Sequence, residues 1–185
     1  MAATDLVLAL TGASGAPYGV RLLEVLLRQG RTVHLTISRA GAEVMQHELD
    51  RRVRLDQFAL SDLLGDAAEG LPGRVEYHHF GNFQAGIASG SFLTGGMVVC
   101  PCSMGTVAAI AHGLSQNLIH RAADVHLKER RRLVLVPRET PLHLVQLRNL
   151  VLCAEAGAVV LPASPAFYTR PRSLQEAVDF VVGRV

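Results

Sequence analysis

The run Leu6-Val-Leu-Ala-Leu-Thr-Gly-Ala-Ser-Gly15, followed by Ala16-Pro-Tyr-Gly-Val20, decides the fold. Its five apolar residues, Leu6 to Leu10, read as a short strand buried on both faces. Thr11 to Gly15 then form a tight turn. From Ala16 the apolar positions Val20, Leu22, Leu23, Val25, Leu26 and Leu27 suit a packed helix better than an alternating strand. Strand, glycine turn, helix is the phosphate-binding corner of nucleotide folds. Glycines let backbone approach a ligand, and the helix start offers free N–H groups at the positive end of its dipole. A plain strand-to-helix turn of an α/β protein has the same pattern.

Outward from that corner the alternation continues. Gln29-Gly30 stops the first helix, and Thr32–Ile37 is a second strand. Ser38 precedes a helix from Ala40 to about Leu49, and one more helix is expected around Asp56 to Leu64. Arg74–His78 is a third strand, and Phe80 to Thr94 a long Gly/Ser/Ala loop containing Ala88-Ser-Gly-Ser91. Loops of that length in compact domains are usually functional or disordered. Met97–Cys100 is a fourth strand closed by Pro101, and Ser103 stands at an N-cap position before Val107-Ala-Ala-Ile110. A long helix spans about Leu118 to Arg131, and Leu133–Val136 is a fifth strand. Pro141 can open the next helix, Val159–Leu161 is a sixth strand, and Leu174–Val185 a final helix. The expectation is α/β: one domain, 1–185, with a mostly parallel sheet of about six strands between two helical layers.

Composition narrows the classes. Of 185 residues 49% are apolar and 18% charged, more apolar surface than one domain needs, so a subunit interface is expected. A net charge of +2 makes no case for nucleic acid. Cys100, Cys102 and Cys153 are odd in number and lack the C-x-x-C spacing. They read as reduced thiols in a cytoplasmic protein. No Cys or His pair has zinc spacing, and the adjacent His78 and His79 point opposite ways if extended, so no metal is expected. The N-terminus lacks a leader pattern, and no apolar run reaches about 18 residues, so no membrane span is expected.

Ligands of parallel sheets bind at the carboxyl ends of the strands. Here those ends are Thr11–Gly15, Ser38, Pro101–Thr106, Arg138-Glu139 and Pro162–Tyr168. Gly12, Gly15 and Gly19 do not have the dinucleotide spacing, and Ser38-Arg39 stands where an acidic residue would hold an NAD ribose. A mononucleotide is indicated, FMN being the natural candidate, while Arg39 keeps NADP open. Ser103-Met-Gly-Thr106 offers a second N–H cradle, or else an ordinary capped helix. Arg121 and Lys128 share one helix face about 10 Å apart, and with Arg138 can hold a second phosphate. Arg130 to Arg132 read as a solvated helix end.

Thr11-Gly-Ala-Ser-Gly15, Ala88-Ser-Gly-Ser91, Cys100-Pro-Cys-Ser103, Asn117-Leu-Ile-x-Arg121-Ala-Ala-Asp-Val-x-Leu-Lys128-Glu-Arg130, Leu135-Val-Pro-Arg-Glu139 and Phe167-Tyr168 stand in order along the chain. This set resembles the UbiX-type flavin prenyltransferases, formerly described as aromatic-acid or polyprenyl-hydroxybenzoate decarboxylases, over Leu6 to Arg184. The resemblance implies a Rossmann-like homododecamer with sites between subunits. It implies transfer of dimethylallyl from dimethylallyl monophosphate to N5 and C6 of reduced FMN. The prenylated FMN would serve a UbiD-type decarboxylase, in ubiquinone biosynthesis or another pathway. It further implies that Gly12, Ala13, Ser14, Ser38, Ser103, Met104, Gly105, Thr106 and Arg138 bind flavin. Ser89, Gly90, Arg121, Lys128, Glu139, Tyr168 and Arg184 fall to the prenyl-phosphate side, and Ser14, Glu48 and Glu139 to the chemistry.

These residue types suit that chemistry. An allylic phosphate leaves as an anion, so Lys128, Arg121 and Arg184 would stabilise its developing charge, with Tyr168 as a hydroxyl donor. Loss of the C6 proton needs a base, either the departing phosphate or Glu48 with Ser14. Glu48 otherwise reads as a solvated helix end, and Glu139 as an ion-pair partner orienting Arg138. The chain has no Trp, whereas relatives often carry aromatics around the prenyl pocket and in a C-terminal arm, one of which Phe83 can replace, and relatives continue past Arg184. Rival readings are an FMN-dependent cysteine decarboxylase, an NADP-dependent reductase and a non-catalytic flavin carrier. The first resembles Pro-Ala-Ser-Ala-Asn-Thr where this chain has Pro101-Cys-Ser-Met-Gly-Thr106, and the last would need no second phosphate site.

Overall fold

The computed structural model describes residues 5–185; the first four residues of the expected domain, where the leader pattern was sought, lie outside them. Strands β1 (Leu6–Leu10), β2 (Thr32–Ile37), β3 (Arg74–Tyr77), β4 (Gly96–Cys102), β5 (Leu133–Pro137) and β6 (Val159–Val160) form one sheet in the order β3-β2-β1-β4-β5-β6. Every pairing is parallel. The period-2 alternation of strand side chains gives the sheet two buried faces. Leu8, Leu10, Leu35, Ile37, Val134 and Val136 enter one core cluster, while Val7, Ala9, Val99, Leu133 and Leu135 enter the other.

Helices α1 (Ala16–Arg28), α2 (Arg39–Leu49) and α7 (Leu174–Arg184) cover the first face with the single turn α3 (Ser61–Leu64). Helices α4 (Met104–Ala111), α5 (Leu118–Lys128) and α6 (Leu144–Glu155) cover the second. Gly19 lets α1 lie against the sheet, because a Cβ there would overlap the Leu10 side chain and the Cys100 carbonyl oxygen. Three layers around a parallel sheet are the expected α/β architecture. Among the described residues no helix is long and apolar enough to cross a membrane.

Four local expectations need correction. The helix expected over Asp56 to Leu64 is reduced to Ser61–Leu64 and a 3-10 turn at Gly65–Ala68. Asp62 there accepts hydrogen bonds from the backbone and guanidinium of Arg54, which holds the upstream segment as an irregular strap. Pro141 does not open a helix. It follows a cis peptide, and α6 begins at Leu144, where Gln146 Oε1 accepts the His143 N–H at 3.2 Å. The helix expected to Arg131 stops at Lys128, since Arg130 takes a φ of 53°. Finally, β4 passes through Pro101 to Cys102 with a register shift against β5, so Pro101 does not close the strand.

Candidate active site

Strand order fixes where a ligand fits. From β1 the chain builds outward through β2 to β3, then returns across to β4 on the other side. The winding reverses between β1 and β4, which opens a crevice beyond their carboxyl ends. Thr11–Gly15 leaves β1 there and Ser103–Thr106 leaves β4 beside it. Thr11 joins the two loops. Its N–H and hydroxyl donate to the Pro101 carbonyl at 3.2 and 2.8 Å, and its Oγ1 accepts the Ser103 N–H at 2.8 Å.

Ser103 caps α4, its Oγ accepting the Thr106 N–H at 3.2 Å and lying 3.0 Å from Thr106 Oγ1. Met104 is buried beneath this turn while Gly105 is exposed. A Cβ at Gly105 would find nothing closer than Ser103 Oγ at 4.0 Å, so the helix start is an open cradle. Ser38 caps α2 in the same way, accepting from Gly41 N–H at 2.9 Å, and its own N–H donates to the Leu10 carbonyl at 3.0 Å. Gly12 is tightly set, because a Cβ there would lie against Ala40.

The N-terminus of α1 is already occupied. Glu48, near the end of α2, turns its carboxylate back so that Oε2 accepts the Gly15 and Ala16 N–H groups at 2.9 and 2.8 Å. Burial alone would raise its pKa. The Ser14 hydroxyl, the two amides and the Arg138 charge outweigh burial and hold the carboxyl below the usual glutamate value. The amides expected to greet a phosphate therefore already serve an anion, and a second anion there would meet like charge. Gly12–Gly15 is a close-packed wall, and the start of α4, open above Gly105, is a helix start that could take a phosphate. Glu48 is not a solvated helix end.

Arg138, just beyond β5, donates its Nε–H to the Ser14 carbonyl at 3.1 Å. Glu139 does not orient it as expected. The Glu139 carboxylate accepts the Thr140 N–H at 3.1 Å, and Ser14 sets the guanidinium. Arg138, Glu139 and Thr140 line a cavity of about 100 Å³ with Leu150 and Ser164. Tyr168, in the segment after β6, is 80% exposed and meets Phe180 edge-on at 6.1 Å.

The remaining predicted residues lie elsewhere. Helix α5 starts where the Leu118 N–H reaches the Phe80 carbonyl, past the end of β3. It runs to the opposite edge of the sheet, where the Arg132 carbonyl takes the Met97 N–H at the start of β4. Lys128, four residues before Arg132, pairs with Glu129. Arg121 donates to the Ala88 carbonyl at 3.0 Å and pairs with Asp124 at 2.7 Å. Ser89 Oγ lies 2.9 Å from Ser91 Oγ, and a Cβ on Gly90 would come within 2.9 Å of Lys128 Nζ. Arg184 is exposed in the last turn of α7, and the adjacent Val185 lines a cavity with Leu6, Gly96 and Met97 at the strand starts. Strands of five residues or more put about 16 Å between these edges.

One protomer thus gathers Gly12, Ala13, Ser14, Ser38, Glu48, Ser103, Met104, Gly105, Thr106, Arg138 and Glu139 around the crevice. It does not bring Lys128 or Arg184 to them. One further expectation fails. Arg131 is half-buried, not a solvated helix end; it donates to the carbonyls of Phe92, at 2.7 Å, and Gly90. Nothing in the run Lys128-Glu-Arg-Arg-Arg132 separates Arg131 from its neighbours, because its partners are backbone atoms about forty residues upstream. Among the described residues no group of His, Cys, Asp and Glu is arranged to hold a metal ion.

The Flavoprotein family model matches residues 1–185. The flavin prenyltransferase UbiX of Alkalihalophilus pseudofirmus is 46% identical over 175 residues, covering 95% of this chain and 86% of that protein. This chain belongs to the UbiX flavin prenyltransferase family. A UbiX crystal structure in complex with FMN and dimethylallyl pyrophosphate superposes with a TM-score of 0.85 at 41% identity, covering 98% of this chain and 89% of the other. A dodecameric FMN-dependent UbiX-like decarboxylase from Escherichia coli O157:H7 gives 0.84 at 38% identity, covering 97% and 91%. The chain shares the fold of these two structures.

Proposed function

We propose that this chain transfers dimethylallyl from dimethylallyl monophosphate to N5 and C6 of reduced FMN, making prenylated FMN for a UbiD-type decarboxylase. One observation supports the reading: an open helix start and a lysine, each suited to a phosphate, stand at opposite ends of the strands of one sheet. The first is the open start of α4 with the Ser103 and Thr106 hydroxyls and Arg138, which fits a flavin phosphate. The second is the Lys128 ammonium at the amino ends of the strands, where α7 also ends at Arg184 on the other face of the sheet; Arg121, in the first turn of α5, stands toward the carboxyl ends. A flavin carrier needs the first set alone, which disfavours that rival.

Two copies of the chain complete the site, one lending its crevice and the other its cationic edge. Leu144, Val145, Val151 and Leu152 on α6, with Phe167 and Leu174, leave apolar surface for such contacts, in keeping with a dodecamer. When bound, reduced FMN supplies the nucleophilic atoms. Gly12 and Ser14 form the wall of the crevice, and Glu48 fixes the Ser14 hydroxyl and its turn. Lys128, Arg121, Arg184 and Tyr168 stabilise the charge developing on the departing phosphate. Because Glu48 is held in its ionised form by three donors, it is a weak base. The released phosphate is the better acceptor for the C6 proton. Glu139, exposed and free of a cationic partner among the described salt bridges, can pass that proton on. The three buried free cysteines suit the reducing cytoplasm.

The test is anaerobic incubation of the protein with reduced FMN and dimethylallyl monophosphate. The flavin is then extracted and weighed. A gain equal to one dimethylallyl unit with ring closure is expected, and unchanged FMN overturns the reading. Subunit sharing has its own test. Lys128→Ala and Arg138→Ala, each inactive, are unfolded together and refolded as mixed oligomers. Random assembly regenerates about a quarter of the intact sites if each draws on two chains, and none if each is built within one.

A further inference from the structure

We propose that Arg131 is a positioning residue for the Lys128 ammonium, acting through the loop that carries Ser89 to Phe92; the inference rests on Lys128 serving the prenyl phosphate. The Phe80–Thr94 stretch has little regular structure beyond one 3-10 turn at Gly86–Ala88, yet its Ala88–Phe92 part is tied down by four contacts. Arg121 takes the Ala88 carbonyl at 3.0 Å. Arg131 takes two more, those of Gly90 and of Phe92. The Phe92 ring packs edge-on against buried His34, with centroids 5.0 Å apart.

At Gly90, whose carbonyl Arg131 holds, the chain passes beside the Lys128–Glu129 pair. Gly90 leaves no room there, because a Cβ would strike the Glu129 carboxylate and come within 2.9 Å of Lys128 Nζ. The loop backbone is therefore one wall of the space in which the ammonium sits. Each terminal nitrogen of Arg131 takes one carbonyl, a spacing fixed by the planar guanidinium that a shorter-reaching lysine ammonium does not reproduce. Loss of the fork frees a lysine with four rotatable bonds, and a phosphate ligand misplaced by about 1 Å can cost as much as 10²-fold in rate.

Arg131→Ala and Arg131→Lys are compared with Lys128→Ala by FMN titration and steady-state kinetics on dimethylallyl monophosphate. Both Arg131 variants are expected to keep FMN affinity within about twofold and to raise KM for the prenyl phosphate about 10- to 100-fold. Arg131→Lys should fail to rescue, since it restores the charge and not the fork. Rescue by Lys would mean that Arg131 acts as a long-range charge, which overturns the proposal. The double variant Arg131→Ala/Lys128→Ala should be no worse than Lys128→Ala, and additive losses overturn the proposal. Gly90→Ala supplies a variant that leaves Arg131 intact and should reproduce the KM increase by displacing the Lys128–Glu129 pair; a wild-type KM in Gly90→Ala likewise overturns it. If Lys128→Ala itself leaves KM unchanged, the assignment of the prenyl-phosphate site fails and takes this inference with it. If Lys128→Ala raises KM and Arg131→Ala does not, this inference alone fails.

Discussion

Replacing Glu48 by Gln separates two uses of one corner. The Glu48 carboxylate accepts Gly15 N–H at 2.9 Å, Ala16 N–H at 2.8 Å and the Ser14 hydroxyl, at the positive end of the 13-residue helix α1. Glutamine keeps one oxygen for these donors but presents an NH₂ group to the rest. The loss is one to two charge-assisted bonds and the charge–dipole attraction. Partial solvent exposure reduces the effect, and about 1–2 kcal/mol remains. For a chain of this size that lowers Tm by about 2–8 °C. The sign with pH follows from the depressed pKa. The carboxylate contributes its full stabilisation above the unfolded glutamate value, about 4.5, and loses it as pH falls through the lower folded value. The Tm gap between wild type and Glu48→Gln, followed by thermal melts, should be constant from pH 7 to about pH 5.5 and close below the range of the unfolded carboxyl. FMN affinity is the second readout. Removing a negative charge from a phosphate cradle would strengthen FMN binding severalfold, whereas a structural cap leaves it unchanged or weaker. Tighter FMN binding, or a Tm gap that survives at the lowest pH, would refute the assignment of α1 as a carboxylate-capped wall.

Three other outcomes are expected. Gly19→Ala drives a methyl into the Leu10 side chain and the Cys100 carbonyl, so it should destabilise the protein by about 1–3 kcal/mol in denaturant titrations. Gly105→Ala meets open space and should leave Tm nearly unchanged, yet it narrows the α4 cradle and should weaken FMN binding by calorimetry. Burial pushes the Cys100 thiol to about 12 and the Cys153 thiol to about 11, and raises Cys102 well above its ordinary value. Folded protein should therefore show almost no reaction with a thiol-specific disulfide reagent at pH 8, and all three thiols should react in denaturant.

Legibility from sequence followed the range of the interactions. Leu6–Leu10 and Thr32–Ile37 were readable to the residue, because a strand buried on both faces must be apolar throughout and a glycine or serine turn ends it. The Ser103 and Ser38 caps were readable or half-readable for the same local reason. Asp56–Leu64 misled because its apolar residues serve a strap, not a helix face: Phe58 stacks on Tyr77 at 4.3 Å, and Asp62 is spent on Arg54. Glu48 and Arg131 belong to a third kind. Each makes its decisive bonds to backbone more than thirty residues away, Glu48 to Gly15 and Ala16, Arg131 to Gly90 and Phe92. Backbone donors and acceptors leave no mark in a sequence, since every residue has them. The same limit explains why Lys128 and Arg138 stand apart in one chain. Lys128 and Arg138 are ten residues apart in sequence, and a reader of motifs places them together. The strand β5 between them carries the chain from one edge of the sheet to the other. In a parallel sheet two motifs that flank one strand stand at its opposite ends, so under the proposed function they meet only if a second copy of the chain brings its amino-end surface to the crevice.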